Sequence, residues 1–173
     1  MMLTDFAVIC IGQEEPGFPE SFGEVKDDPE RETKVCVCAD GTPFLEFECY
    51  KRRQGDESIY DDWYNFKTAD SLTGVLYFVW QPHDKLLEDS FFDFAGEAGS
   101  KHVCIVPKWE KTVRELLEYY TGQSPEHRIA VLLRMQDRSD DTVHKACSVD
   151  EFMKLLKSGG VVWNETYFIK AEG

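Results

Sequence analysis

The clearest hydrophobic signal in the chain is the unbroken apolar run at residues 6–11, which Gly12 ends. A run that short, with no polar positions, predicts a buried strand. Residues 13–32 follow with Pro16, Pro19, Pro29, Gly17, Gly23 and many acids. That composition predicts a long surface loop, and loops of such length are mobile or functional. At 34–39 β-branched and small residues alternate, and Asp40 with Gly41 suits a tight turn. In 43–50, Leu45, Phe47 and Cys49 share one face while Phe44, Glu46 and Glu48 share the other. This period of two predicts a β-hairpin over 34–50.

Residues 73–80 predict a central strand that Gln81 and Pro82 stop, because proline cannot donate to a ladder. Asp84 then caps an expected helix carrying Leu86, Leu87, Phe91 and Phe94, closed by Gly96 and Gly99. Residues 102–106 predict another buried strand. After Pro107 the spacing of Trp109, Val113, Leu116, Leu117 and Tyr120 predicts an amphipathic helix with Gly122 as its C-cap. Charged pairs Glu110–Arg114, Lys111–Glu115 and Arg114–Glu118 support it. Residues 128–135 predict a strand and 137–147 a polar segment. Ser148 and Glu151 form a capping box opening a helix with Phe152, Leu155 and Leu156, which residues 158–160 stop. Residues 161–169 predict a closing strand bent at Asn164 and Glu165. The expected architecture is a single α+β domain over 1–173, with a mostly antiparallel sheet and about three helices.

Hydrophobic residues make up 42% of the chain and aromatics 13%, enough for a core and too many for intrinsic disorder. The net charge is -14, and its distribution changes the picture. Residues 1–100 hold 22 acids and 8 bases, whereas residues 101–173 hold 11 of each. Such a balance excludes the usual basic nucleic-acid binder, which needs clustered Lys and Arg to neutralise phosphates. No apolar run approaches membrane-spanning length and no signal-peptide pattern opens the chain, so the expectation is a cytoplasmic protein. The six cysteines, Cys10, Cys36, Cys38, Cys49, Cys104 and Cys147, are expected to be reduced. All but Cys147 fall in strand-like stretches, where a thiol behaves as a small buried hydrophobe.

Candidate chemistry is sparse. Cys36 and Cys38 in one strand would point to the same face, but no second close pair follows to complete a zinc set, so no metal is expected. Of the four histidines, His83 and His127 neighbour turns and His144 lies in a polar segment. His102 falls beside Cys104 on one strand face, the nearest approach to a nucleophile and base. Phosphate-loop, dinucleotide-binding, zinc-protease and serine-hydrolase motifs are absent. Acid pairs such as Asp27 with Asp28, Asp61 with Asp62 and Asp140 with Asp141 would point to opposite faces of a strand, which makes poor chelators. The reading is therefore of a protein without catalytic residues or cofactor.

Residues 57–64 stand apart, because Tyr60, Trp63 and Tyr64 lie among Glu57, Asp61 and Asp62. Aromatics of this kind dominate binding hot spots, and neighbouring carboxylates would meet Arg or Lys on a partner. In size, acidity and organisation the chain resembles the immunity proteins of bacterial polymorphic-toxin and contact-dependent inhibition systems. The resemblance implies an inhibitor that covers the basic, nucleic-acid-binding face of a toxin and touches neither nucleic acid nor membrane itself. Its expected contact residues are Asp56, Glu57, Tyr60, Asp61, Asp62, Trp63 and Tyr64, with Asp27 and Asp28. Two alternatives are a phosphate mimic occupying a DNA enzyme and an enzyme built on Cys104 with His102 or on scattered acids. On the inhibitor reading, replacing Asp61 and Asp62 by Asn slows association with the basic partner; an unchanged on-rate removes both from the interface.

Overall fold

The computed structural model describes residues 5–29, 33–51, 76–83, 90–97, 100–134 and 142–171. Its strands are β1 Asp5–Cys10, β2 Glu24–Asp28, β3 Thr33–Val37, β4 Pro43–Lys51, β5 Leu76–Pro82, β6 Phe92–Phe94, β7 His102–Ile105, β8 Arg128–Arg134, β9 Val143–Cys147, β10 Val161–Val162 and β11 Thr166–Lys170. The two substantial helices are α1 Glu110–Gln123 and α2 Val149–Ser158. Eight strands form one sheet in the order β2-β3-β4-β5-β1-β8-β11-β9, and β10-β7-β6 form a small second one. Only the β9–β11 pair is parallel among the described pairings. The protein is thus a single α+β domain with a mixed, mostly antiparallel sheet.

The apolar run of β1 occupies the middle of the large sheet, where both of its faces are dry, as are those of its neighbour β8. Phe6, Val8 and Cys10 face the helices with Phe78, Trp80, Val131 and Leu133. Ala7, Ile9 and Ile11 face the other way with Val79, Ala130 and Leu132. Register supports both sets: Phe6 pairs with Trp80 and Leu133, and Ala7 with Val79 and Leu132. On the helix-bearing face α1 lays Val113, Leu116, Leu117 and Tyr120 against the sheet, all fully buried. α2 adds Phe152, whose ring lies 5.4 Å from that of Tyr167 on β11. The two helices are joined by Arg114–Asp150 at 2.5 Å and Lys157–Glu110 at 3.3 Å. Among the described residues no helix is long and apolar enough to cross a membrane.

Several expectations need correction. Residues 13–32 are not all loop: a short 3₁₀ turn at Glu20–Phe22 precedes β2, whose four charges in five residues mask an edge strand that pairs only with β3. The helix expected after Asp84 fails at its end, because Phe92–Phe94 is a strand paired with β7; residues 84–89 lie outside the described residues. Tertiary pairing overrides the helical spacing there. The polar stretch before Ser148 contains β9, whose alternation is hidden because an edge strand needs no apolar face. Gly122 is not a cap but a helical residue, and Ser124 is the C-cap. The closing strand is two strands in different sheets. Asn164, at φ 64°, turns the chain between them, a conformation asparagine tolerates better than most residues. Two substantial helices are described; residues 84–89, where the third was expected to begin, lie outside the described residues.

The capping box at α2 is as expected. Glu151 N donates to Ser148 Oγ at 3.1 Å, and Ser148 N donates to Glu151 Oε1 at 3.4 Å. Replacing Ser148 by Ala removes the first bond and is expected to cost about 1 kcal/mol. Thermal unfolding should then show a Tm lowered by roughly 2–4 °C, the shift such a loss produces in a chain of this size.

Candidate partner-binding surface

The segment between β1 and β2 is a strap laid across the sheet. It leaves the end of β1 at Cys10 and enters β2 at Glu24, which pairs with Val37 at the opposite end of the strands. On the way it crosses the helix-bearing face beside α1. Two hydroxyls of α1 hold its backbone: Tyr119 Oη donates to the Pro16 carbonyl at 3.2 Å and Tyr120 Oη to that of Gly17 at 3.1 Å. Ser21 Oγ donates to Glu115 Oε2 at 3.3 Å. Farther along, Phe22 is buried edge-on against Trp80 at 6.0 Å and Phe44 at 6.1 Å. Gly23 closes the strap at φ 83°, where a Cβ would stand 2.2 Å from the Val37 carbonyl oxygen. No other residue fits there without moving backbone.

With Pro16, Pro19 and Phe22 buried, Phe18 remains 38% exposed, resting on Phe47 at 6.4 Å between ring centres. Glu14, Glu15 and Glu20 flank it in sequence and are exposed, as is Glu24 where β2 begins. The arrangement is an exposed aromatic side chain on a fixed backbone, with exposed carboxylates at nearby positions of the same segment. Burial raises both tyrosine hydroxyls above their ordinary range, with Cys10 and Glu20 adding to the effect at Tyr119. Both therefore stay protonated, and able to donate to the strap, throughout the neutral range.

The expected contact residues 56–64 lie outside the described residues. Asp27 and Asp28 are described: consecutive in β2, they point to opposite faces. Lys34 Nζ donates to Asp27 Oδ1 at 2.6 Å, while Asp28 is half-buried beyond it. The described acids of the first hundred residues also divide. Those of the strap lie over the helix-bearing face. Glu46 and Glu48 point to the other face, with Glu46 buried beside Gln81 Nε2 at 2.6 Å and Glu48 accepting from Tyr50 Oη. Phe18 and the exposed glutamates near it are candidates that the sequence reading did not single out. The signal present was one large apolar residue between Gly17 and Pro19 in an acid-rich stretch, and a tyrosine, Tyr119, off the apolar stripe of α1.

The other candidate chemistry disperses. Cys36 is buried in β3, whereas Cys38 lies beyond the strand end and is exposed, so the two thiols do not share a face. Cys49 is exposed and Cys104 half-buried, so neither is the core residue expected. Cys104 Sγ lies 3.7 Å from the Asp93 carbonyl and 3.8 Å from that of Phe94. Burial and the nearby Asp93 carboxylate raise its thiol, the opposite of what a nucleophile needs. His102 is exposed on the outer face of the small sheet, and His144 Nε2 is 2.6 Å from Glu165 Oε1 with its ring stacked on Tyr167. Among the described residues no three potential ligands group to hold a metal ion. No family model matches the chain, and neither a curated protein nor a solved structure is significantly similar to it.

Burial pushes the thiols of Cys10 and Cys36 up to about 12. The unfolded chain ionises first, so their contribution is intact below pH ~9 and is lost as pH rises toward the folded value. Urea unfolding at pH 8, 10 and 11 is expected to show a falling midpoint above pH 9, and replacing both cysteines by Ala should flatten the fall. A midpoint independent of pH across that range would contradict the assignment.

Proposed function

We propose that the protein acts by binding a basic protein partner through the strap, with Phe18 as the anchor and Glu14, Glu15 and Glu20 as the charged rim. The observation that carries this reading is the exposure of Phe18 on a backbone held by two tyrosine hydroxyls, within a segment whose other apolar residues are buried. An exposed aromatic on a pre-ordered backbone loses little conformational freedom on binding, which is where hot-spot energy comes from. The carboxylate rim steers a cationic partner and discourages anionic ones. Neutralisation of a cognate toxin, with steric occlusion of its basic active-site surface, is the biological form that best fits an acidic binder of this size. On that reading the protein is an inhibitor and not an enzyme, and works in the cytoplasm beside its target.

The test is capture of the partner from the native host at low salt, followed by co-expression. A basic protein is expected that is retained at low salt and released at high salt, and whose toxicity this chain relieves. Phe18→Ala should weaken the complex by about thirtyfold or more, chiefly through faster dissociation. Glu15→Gln with Glu20→Gln should instead slow association, an effect that fades as salt rises. A captured partner indifferent to Phe18 would overturn the strap as the interface.

A further inference from the structure

Among the described residues three large apolar side chains are exposed: Phe18, Val143 and Leu155. Val143 opens the edge strand β9, where an uncovered side chain is ordinary. Phe18 and Leu155 instead stand on elements seated in the core. The strap buries Phe22, and α2 buries Phe152, Met153 and Leu156. Each exposed side chain is therefore held in place by its own element. At Leu155 a glycine keeps the flank bare: a Cβ built at Gly160 would stand 3.0 Å from Leu155 Cδ2. Gly160 is not among the residues with positive φ, so backbone conformation does not require glycine there.

The two side chains have surroundings of opposite charge. Residues 13–24, around Phe18, hold four acids and no base. Residues 152–163, around Leu155, hold Lys154 and Lys157 and no acid, and both lysines are exposed. Lys157 Nζ lies 3.3 Å from Glu110 Oε1, so its charge is shared with α1. Lys154 has no ion pair among the described residues. Glu151, one turn before Leu155, is committed to the capping box through Ser148 N. The C-terminal half of α2 is thus a positively charged patch with an apolar centre, on a chain whose strap carries an aromatic among carboxylates.

We propose that the α2 patch receives the strap of a second copy of this chain. Phe18 of one molecule lies against Leu155 and Gly160 of the next, with Glu15 and Glu20 beside Lys154 and Lys157. Apolar anchor meets apolar anchor, and the charges around them are complementary in sign. The two patches occupy opposite flanks of α1. Glu115 and Tyr119 meet the strap, whereas Glu110 and Arg114 meet α2. A helix ~10–12 Å across stands between them, so they do not meet within one molecule. The contact is therefore head-to-tail: each molecule offers its strap to one neighbour and its α2 to another. A contact of two anchors and two ion pairs belongs with weak, transient interfaces below about 1,200 Å². It forms at high protein concentration and yields to a basic partner that takes Phe18. The proposal rests on the strap as a contact surface, as argued above, and gives it a second occupant.

The test is sedimentation velocity of the full chain from about 10 μM to about 1 mM. At about 50 mM salt the average mass is expected to rise beyond that of a dimer, with a dissociation constant on the order of 0.1 mM. At about 500 mM salt the chain should be monomeric. Lys154→Glu, wholly on the surface, should weaken the association by about tenfold. Phe18→Ala and Leu155→Asp should each be monomeric with a Tm close to that of the parent chain. Mixed in equal amounts they should form a dimer and stop there, because one intact strap and one intact α2 patch remain. Val143→Asp should change nothing. A parent chain monomeric at about 1 mM, a mixture of well-folded variants that stays monomeric, or a loss of association in Val143→Asp would overturn the proposal. Leu155→Asp should leave capture of a basic partner untouched. Self-association without any basic partner therefore sinks only the inhibitor reading, and a Phe18-dependent partner of a strictly monomeric chain sinks only the head-to-tail contact.

Discussion

The packing of Trp80 is the interaction on which the rest of the structure depends. Its ring is fully buried, 4.4 Å from Phe47 and edge-on to Phe22. The reason is one of coverage. Eight strands at ~4.8 Å spacing span about 34 Å between the outer axes, and two helices ~10 Å across cover about 20 Å of that. α1 and α2 lie over the β1, β8 and β11 side. The aromatic rows of β4 and β5 would be left wet, and burying a side chain of that size is worth about 2–3 kcal/mol. The strap supplies the missing cover with Phe22, Pro16 and Pro19.

That solution constrains the surface. A strap without strand partners must satisfy its backbone by other means, and Tyr119 and Tyr120 donate to it directly. The same bonds order the segment. Phe18 is exposed because the strap must pass over Phe47 to reach β2, and the acids around it keep an otherwise sticky aromatic soluble. Core coverage and surface charge are therefore two sides of one segment: the inner residues complete the hydrophobic layer and the outer ones present carboxylates to solvent.

The charge asymmetry of the sequence takes a different form once folded. Counting acids along the chain places the imbalance in the first hundred residues, yet alternation in strands sends neighbouring acids to opposite faces. Asp27 and Asp28 part company for this reason, and Glu46 and Glu48 turn away from the strap. The acids that share a side with Phe18 come from a segment without strand alternation and from Glu115 of α1. A linear excess of charge becomes a local rim only where the backbone is not pleated.

The sequence by itself determined the elements whose signal is local. The unbroken run of β1, the period of two in the β3–β4 hairpin, the apolar stripe of α1 and the Ser148–Glu151 box each follow from neighbouring residues obeying one helical or extended period. Only tertiary structure decided the rest. Phe92–Phe94 became a strand because β7 offers it hydrogen bonds, β9 because β11 does, and residues 161–169 became two strands because Asn164 turns between sheets. The exposure of Phe18 was equally out of reach, since the course of the strap depends on residues of α1 more than 90 positions away. Local periodicity is written in adjacent side chains; coverage is set by partners distant in the chain.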